Sequence, residues 1–88
     1  MKFRLNTKCY FSPGDTTDTT CSTTLRRQPI DNDDFTGRLI KDEKVLVVAV
    51  VVGQERFTTL TVEWVCVLSS SGRFGWVNSY SLGLIENL

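Results

Sequence analysis

The side chains of this 88-residue chain that could do chemistry are three cysteines, Cys9, Cys21 and Cys66, and a carboxylate cluster, Asp31, Asp33 and Asp34. There is no histidine, so neither a Ser–His nor a Cys–His nucleophile pair can form. Structural zinc takes four tetrahedral ligands, usually Cys or His, and three scattered cysteines do not supply them. The aspartate cluster lacks the glycine and distal glutamate of a calcium loop and reads as a solvated turn. Gly72 and Gly75 sit in a hairpin pattern rather than a strand-to-helix turn, so no phosphate-binding loop is expected. The expectation is a non-catalytic protein with no metal and no cofactor. Cys66 reads as a buried structural thiol, while Cys9 and Cys21 flank a loop and would pair only if oxidised.

Ten Lys and Arg residues balance ten Asp and Glu, for a net charge of 0. That balance removes the broad positive field on which nucleic-acid and anionic-membrane binding usually depend. Arg26 and Arg27, with Lys2, Arg4 and Lys8, would form a basic edge, but Asp31 to Asp34 blunt it. Tyr10, Phe11, Phe57 and Phe74 are the aromatics that could interleave with such basics to stack single-stranded bases. The longest apolar run, Val45–Val52, falls well short of the roughly 20 residues of a membrane-spanning helix. The start, Met1 to Asn6, has no apolar core of a secretory signal. A cytoplasmic protein is expected, or a virion protein if the source is a phage.

The elements that must position these residues are strands. Lys44 to Val52 is dominated by β-branched residues and ends at Gly53, which argues for a strand. A polar turn, Gly53 to Arg56, leads to a second strand opening at Phe57. There Leu60, Val62, Trp64, Cys66 and Leu68 alternate with Thr59, Thr61, Glu63, Val65 and Val67. The first set is wholly apolar and is expected to face the core together with Val77. Ser69 to Gly72 is a tight turn by composition, and Arg73 to Val77 returns as a strand, with Gly75 marking a bulge or a close backbone approach. A short piece, Asn78 to Ser81, leads to a last strand, Leu82 to Ile85. Near the N-terminus, Lys8 to Phe11 is a candidate short strand, followed by a long polar loop over 12–35. The whole of 1–88 is therefore expected to be one all-β domain, a small barrel of about five strands.

Thr36 to Val47, with its glycine, hydrophobic and basic residues before Glu43-Lys44-Val45, resembles bacterial SH3-like domains. So does Gly72-Arg73-Phe74-Gly75-Trp76-Val77, followed by Ser79, Leu82 and Ile85, which is similar to that family's closing Gly-x-x-Gly-Trp-Val hairpin. The resemblance covers residues 36–86 and implies an SH3-like barrel whose 12–35 loop is an extended RT-type loop. The proline-rich-peptide groove of eukaryotic SH3 domains is not intact: Trp64 stands for the second tryptophan of its pair, Glu63 for the first, Asn78 for the groove proline and Ser81 for its tyrosine. The resemblance thus implies the fold and not the ligand, and the candidate binding residues are Trp76, Tyr10, Asn78, Tyr80 and Glu63. Trp76 should point away from the core beside Val77, either as a contact residue or packed beneath the N-terminal loop. Trp64 should pack in the core or at the barrel end. The leading expectation is a protein-interaction or adaptor module with a protein partner. A structural or regulatory subunit of a phage or other assembly (with possible homo-oligomerisation), bacterial cell-wall binding, and single-stranded nucleic-acid binding are the alternatives. Nucleic acid and membrane are the disfavoured partners.

Overall fold

The computed structural model describes residues 10–30, 32–54 and 61–85. Six strands form: β1 (Thr16–Asp18), β2 (Thr23–Arg26), β3 (Phe35–Leu39), β4 (Lys44–Gln54), β5 (Thr61–Ser69) and β6 (Phe74–Asn78). They make one antiparallel sheet in the order β1-β4-β5-β6-β2-β3, so β1 and β3 are its edges. The described residues include no helix long and apolar enough to cross a membrane. The expected all-β class is observed. Phe57, Thr59, Leu60, Cys9, Asp31, Lys2, Arg4 and Lys8 lie outside the described residues.

β4 and β5 are the longest strands because their sequences are richest in β-branched residues, which fit a pleated, half-buried surface. Their ladder runs from Val45 opposite Ser69 to Gln54 opposite Thr61, with one extra residue at Val48. That bulge keeps two alternations in phase. Val47 pairs with Val67 before it and Val50 with Val65 after it, so directly opposed side chains stay on one face. On this inner face Val65, Val67, Val45, Val47 and Val77 gather with Leu25, Leu39, Phe11 and Leu82, all buried. It is the core, and it corrects one expectation. The inward set of β5 is Val65 and Val67, not Val62, Trp64, Cys66 and Leu68. Val62, Trp64 and Cys66 are indeed buried, but on the opposite face from Val77, and Leu68 is 40% exposed.

The expected polar loop 12–35 is not a plain loop, because it contains β1 and β2 and buries Thr17, Thr19 and Leu25. Hydrogen bonding explains how threonines become interior residues here. The Thr19 hydroxyl donates to the Ile40 carbonyl and accepts the Glu43 N–H, while its backbone bonds Glu43 and Asp42. The Thr17 hydroxyl donates to the Leu84 carbonyl at 2.9 Å. A buried hydroxyl with satisfied partners escapes the desolvation cost that makes polar burial unfavourable. Leu82 to Ile85 is not a strand either. Only Leu82 bridges, to Thr19, after a 3₁₀ turn at Ser79–Ser81. Tyr10 and Phe11 lie in no strand; Phe11 is instead inserted into the core.

A turn and a close backbone approach fix the β5–β6 hairpin. At Ser69–Gly72 the Gly72 backbone has φ +90° and its N–H donates to Ser69, a left-handed conformation that glycine adopts without steric cost. Ser71 donates its hydroxyl to the Glu43 carboxylate, which also accepts the Ile40 N–H. The Ser71 hydrogen bond, ahead of the Ile40 backbone bond, holds the Glu43 carboxyl below its ordinary range. Gly75 meets the expected close approach: a Cβ there would lie 2.9 Å from the Leu25 Cβ and 2.9 Å from the Thr36 hydroxyl.

Two outcomes follow from this packing. Gly75→Ala should destabilise the fold by about 1–3 kcal/mol, the usual cost of overpacking, measured by urea unfolding; an unchanged midpoint would contradict the contact. Because the folded pKa of Glu43 is depressed, its contribution is complete above the unfolded carboxylate pKa and is lost as pH falls through the folded value. Stability in the acid range should therefore fall less steeply with decreasing pH in Glu43→Gln than in the wild type, read from thermal melts across that range.

Candidate interaction face

Registers across the sheet place the remaining strand side chains in rows on its second face. One row runs Thr16, Leu46, Leu68, Phe74 across β1, β4, β5 and β6. The next runs Ala49, Cys66, Trp76, Arg26, Phe35 across β4, β5, β6, β2 and β3. A third runs Val51, Trp64, Asn78. Directly opposed residues share a face, so two tryptophans, two phenylalanines and several aliphatic side chains lie on one surface.

This surface is closed at one end and open at the other. At the closed end Trp64 is 2% exposed and Cys66 is buried. The Arg26 guanidinium lies 5.4 Å from the centroid of the Trp64 ring and 5.4 Å from that of Phe35, a cation–π bridge between the rings. Its Nε also donates to the Asn32 carbonyl at 3.2 Å. Among the described residues the buried Trp64 indole N–H has no hydrogen-bond partner, an arrangement that forfeits about 1–3 kcal/mol for a buried donor. Burial pushes the Cys66 thiol up from its ordinary pKa. At the open end Leu46 and Leu68 are each 40% exposed and Phe74 is 55% exposed. A shallow hollow of about 360 Å³ lies beside them, lined by Thr16, Lys44, Leu46, Leu68 and Ser70 among others.

The five residues singled out from the sequence do not form one cluster. Trp76 is half-buried in the middle row, on the face opposite buried Val77. Tyr10 and Glu63 do meet, but the contact is structural: the Glu63 carboxylate accepts the Tyr10 N–H at 3.1 Å and the Phe11 N–H at 2.7 Å. Asn78 accepts the Tyr80 N–H at 2.9 Å and so caps the 3₁₀ turn, leaving the Tyr80 side chain 68% exposed. Leu46, Leu68 and Phe35 were not singled out, although each belongs to the same face as Trp76. Leu46 and Leu68 carry a signal in the alternation of β4 and β5 and pair directly, whereas Phe35 joins the face only through its register with Arg26 on β2.

The other candidate chemistry is dispersed. Asp34 is engaged with Arg27 at 3.1 Å, whereas Arg26 turns to Trp64, so the two adjacent arginines serve different surfaces. Among the described residues no group of three or more His, Cys, Asp or Glu could hold a metal ion. A hollow of about 450 Å³ beside Thr19 and Gly83 carries Asp18, Lys41 and Asp42, but Lys41 is paired with Asp42 and Asp18 with Lys44. Phe11 is in the core and Phe74 on the second face, so these two aromatics do not share a stacking surface. No protein family, curated protein or solved structure compared with this chain matches it.

Thiol chemistry reads this arrangement directly. Cys21 is exposed and Cys66 buried, both as free thiols. Because the thiolate is the reactive form and burial disfavours it, iodoacetamide at mildly alkaline pH should alkylate Cys21 in the native state. Cys66 should react only once denaturant is added, as peptide mapping by mass spectrometry would show. Equal native rates at the two sites would contradict the closed end of the face.

Proposed function

We propose that this chain is a non-catalytic protein-interaction module on an SH3-like barrel, binding its partner through the open end of the second face. The observation that carries this reading is the exposed row Leu46, Leu68, Phe74 on three adjacent strands. Isolated exposed apolar residues are ordinary, but a contiguous group on a rigid sheet is characteristic of an interaction surface. Trp76 lies in the neighbouring row, and aromatic and arginine side chains are those most often dominant in binding.

The barrel reading draws on the tight Ser69–Gly72 hairpin and on the return of the chain through Leu82 to Thr19, which accord with the closing motif that resembles bacterial SH3-like domains. A proline-rich ligand does not suit the face, since Glu63 is engaged with the Tyr10 and Phe11 backbone and Asn78 with that of Tyr80. Charge narrows the partner. Among the described residues, exposed Arg38 stands beside the apolar rows on β3, while Arg26 lies over Trp64 and Phe35 and Lys44 is paired with Asp18. The partner expected is a protein segment presenting apolar side chains flanked by carboxylates.

Selection from a displayed random-peptide library tests this. Wild-type protein should enrich apolar peptides with Asp or Glu at their flanks, and the enriched set should lose binding to Phe74→Glu and Leu68→Glu variants that keep wild-type circular dichroism. Peptides that bind those folded variants as well as the wild type would overturn the proposal.

A further inference from the structure

The outer edge of β4 carries a second surface, away from the open end at Leu46, Leu68 and Phe74 although Ala49 and Val51 lie on the same face. β1 pairs with β4 only from Lys44 to Leu46. One step on, Val47 is still engaged, accepting the Gly14 N–H at 2.9 Å and donating to Asp15 at 2.8 Å. Beyond Val47, β4 continues to Gln54 along β5, but among the described residues no strand pairs with its other edge. Val47 thus directs its N–H and C=O outward. Alternation along the antiparallel ladder, advanced by the extra residue at Val48, passes that role to Val50 and Val52.

Sheet edges in monomeric proteins are usually guarded by lysine, proline, an inward charge or very short length. This edge has none of those guards. Val48-Ala49-Val50-Val51-Val52-Gly53 contains no charged residue and no proline, and Val48 and Val51 are each 42% exposed. The bulge lies at the start of the segment and leaves the rest of the edge regular.

We infer that the β4 edge pairs with the same edge of a second copy of this chain, joining two sheets antiparallel about a twofold axis at Val51. The segment itself argues for a second copy as occupant. Self-pairing in this register sets Val50 opposite the partner's Val52, and each such pair exchanges two backbone hydrogen bonds. Ala49 then faces the partner's Gly53, small residues that permit close approach, and the two exposed Val51 side chains meet at the axis. No charge on the segment opposes this, and a net charge of 0 leaves the two copies without overall repulsion. An isologous contact of this kind closes after two copies rather than growing into a filament.

Sedimentation equilibrium from micromolar to millimolar concentration, combined with amide hydrogen exchange, tests the inference. The wild-type mass should rise from 9.9 kDa towards twice that value. Over the same range the Val50 and Val52 amides should exchange at least about tenfold more slowly. Val51→Lys, which alters an exposed position, should remain monomeric with an unchanged melting curve. Leu68→Lys, on the peptide-binding face, should still dimerise, so the two proposals fail independently. A wild-type chain that stays monomeric at millimolar concentration would overturn the inference. So would a dimer that survives Val51→Lys but is lost in Leu68→Lys, or Val50 and Val52 amides protected equally at every dilution, which would mean an edge covered from within one chain.

Discussion

The structure depends on β5 having to bury side chains in two directions. Val65 and Val67 point into the core, and Val62, Trp64 and Cys66 are buried on the other side. A central strand with both faces apolar needs cover on both, and a chain of this length has little material to provide it. The inner face takes Phe11, Leu25, Leu39 and Leu82. On the second face Arg26 lies over Trp64 and Phe35, and Leu46, Leu68 and Phe74 are left partly uncovered. The candidate interaction face is thus what remains of the second side of β5 after the chain's own covering elements have been used.

The same shortage accounts for the buried threonines. Leu82 and Phe11 reach the core only because the segments bearing them are tied down by polar contacts: Thr17 to Leu84, Thr19 to Ile40 and Glu43, and Glu63 to Tyr10 and Phe11. Each bond contributes modestly, about 0.5–1.5 kcal/mol for a neutral pair and more where the acceptor is a carboxylate. Together they replace regular ladder pairing where none forms. These polar ties set the path of the N-terminal segment, and the apolar core sets the order of the strands.

The strands were legible where composition and period were strong. β4, β5, the Ser69–Gly72 turn, β6 and the close approach at Gly75 all follow from β-branched runs, turn residues and a lone internal glycine. β1 was hidden because Thr17, and Thr19 just after it, look like loop residues until their hydroxyl partners, distant in sequence, are known, and β2 because Thr23-Thr24-Leu25-Arg26 offers only one apolar side chain. The core face of β5 was misassigned for a related reason. Five alternating apolar residues outweighed Val65 and Val67 by count, yet alternation alone cannot say which face of a two-sided strand meets the larger cluster. The outward direction of Trp76 was readable from its place beside Val77. Its neighbours Leu46, Leu68 and Phe35 were not, because their alignment depends on cross-strand register, with Phe35 reached only past the irregularity at Leu25/Arg26 on β2. Glu63 and Tyr10 were singled out as contact residues, and the structure joins the Glu63 carboxylate to the Tyr10 N–H.

The two-faced assignment of β5 is most directly tested by nuclear Overhauser contacts in isotopically labelled protein. The account predicts that the Val65 and Val67 methyls contact Leu25, Leu39 and Val77, while the Cys66 β-protons contact Ala49 and Trp76. Cys66 β-protons that instead contact Leu25 and Leu39 would reverse the faces of the strand and contradict the account.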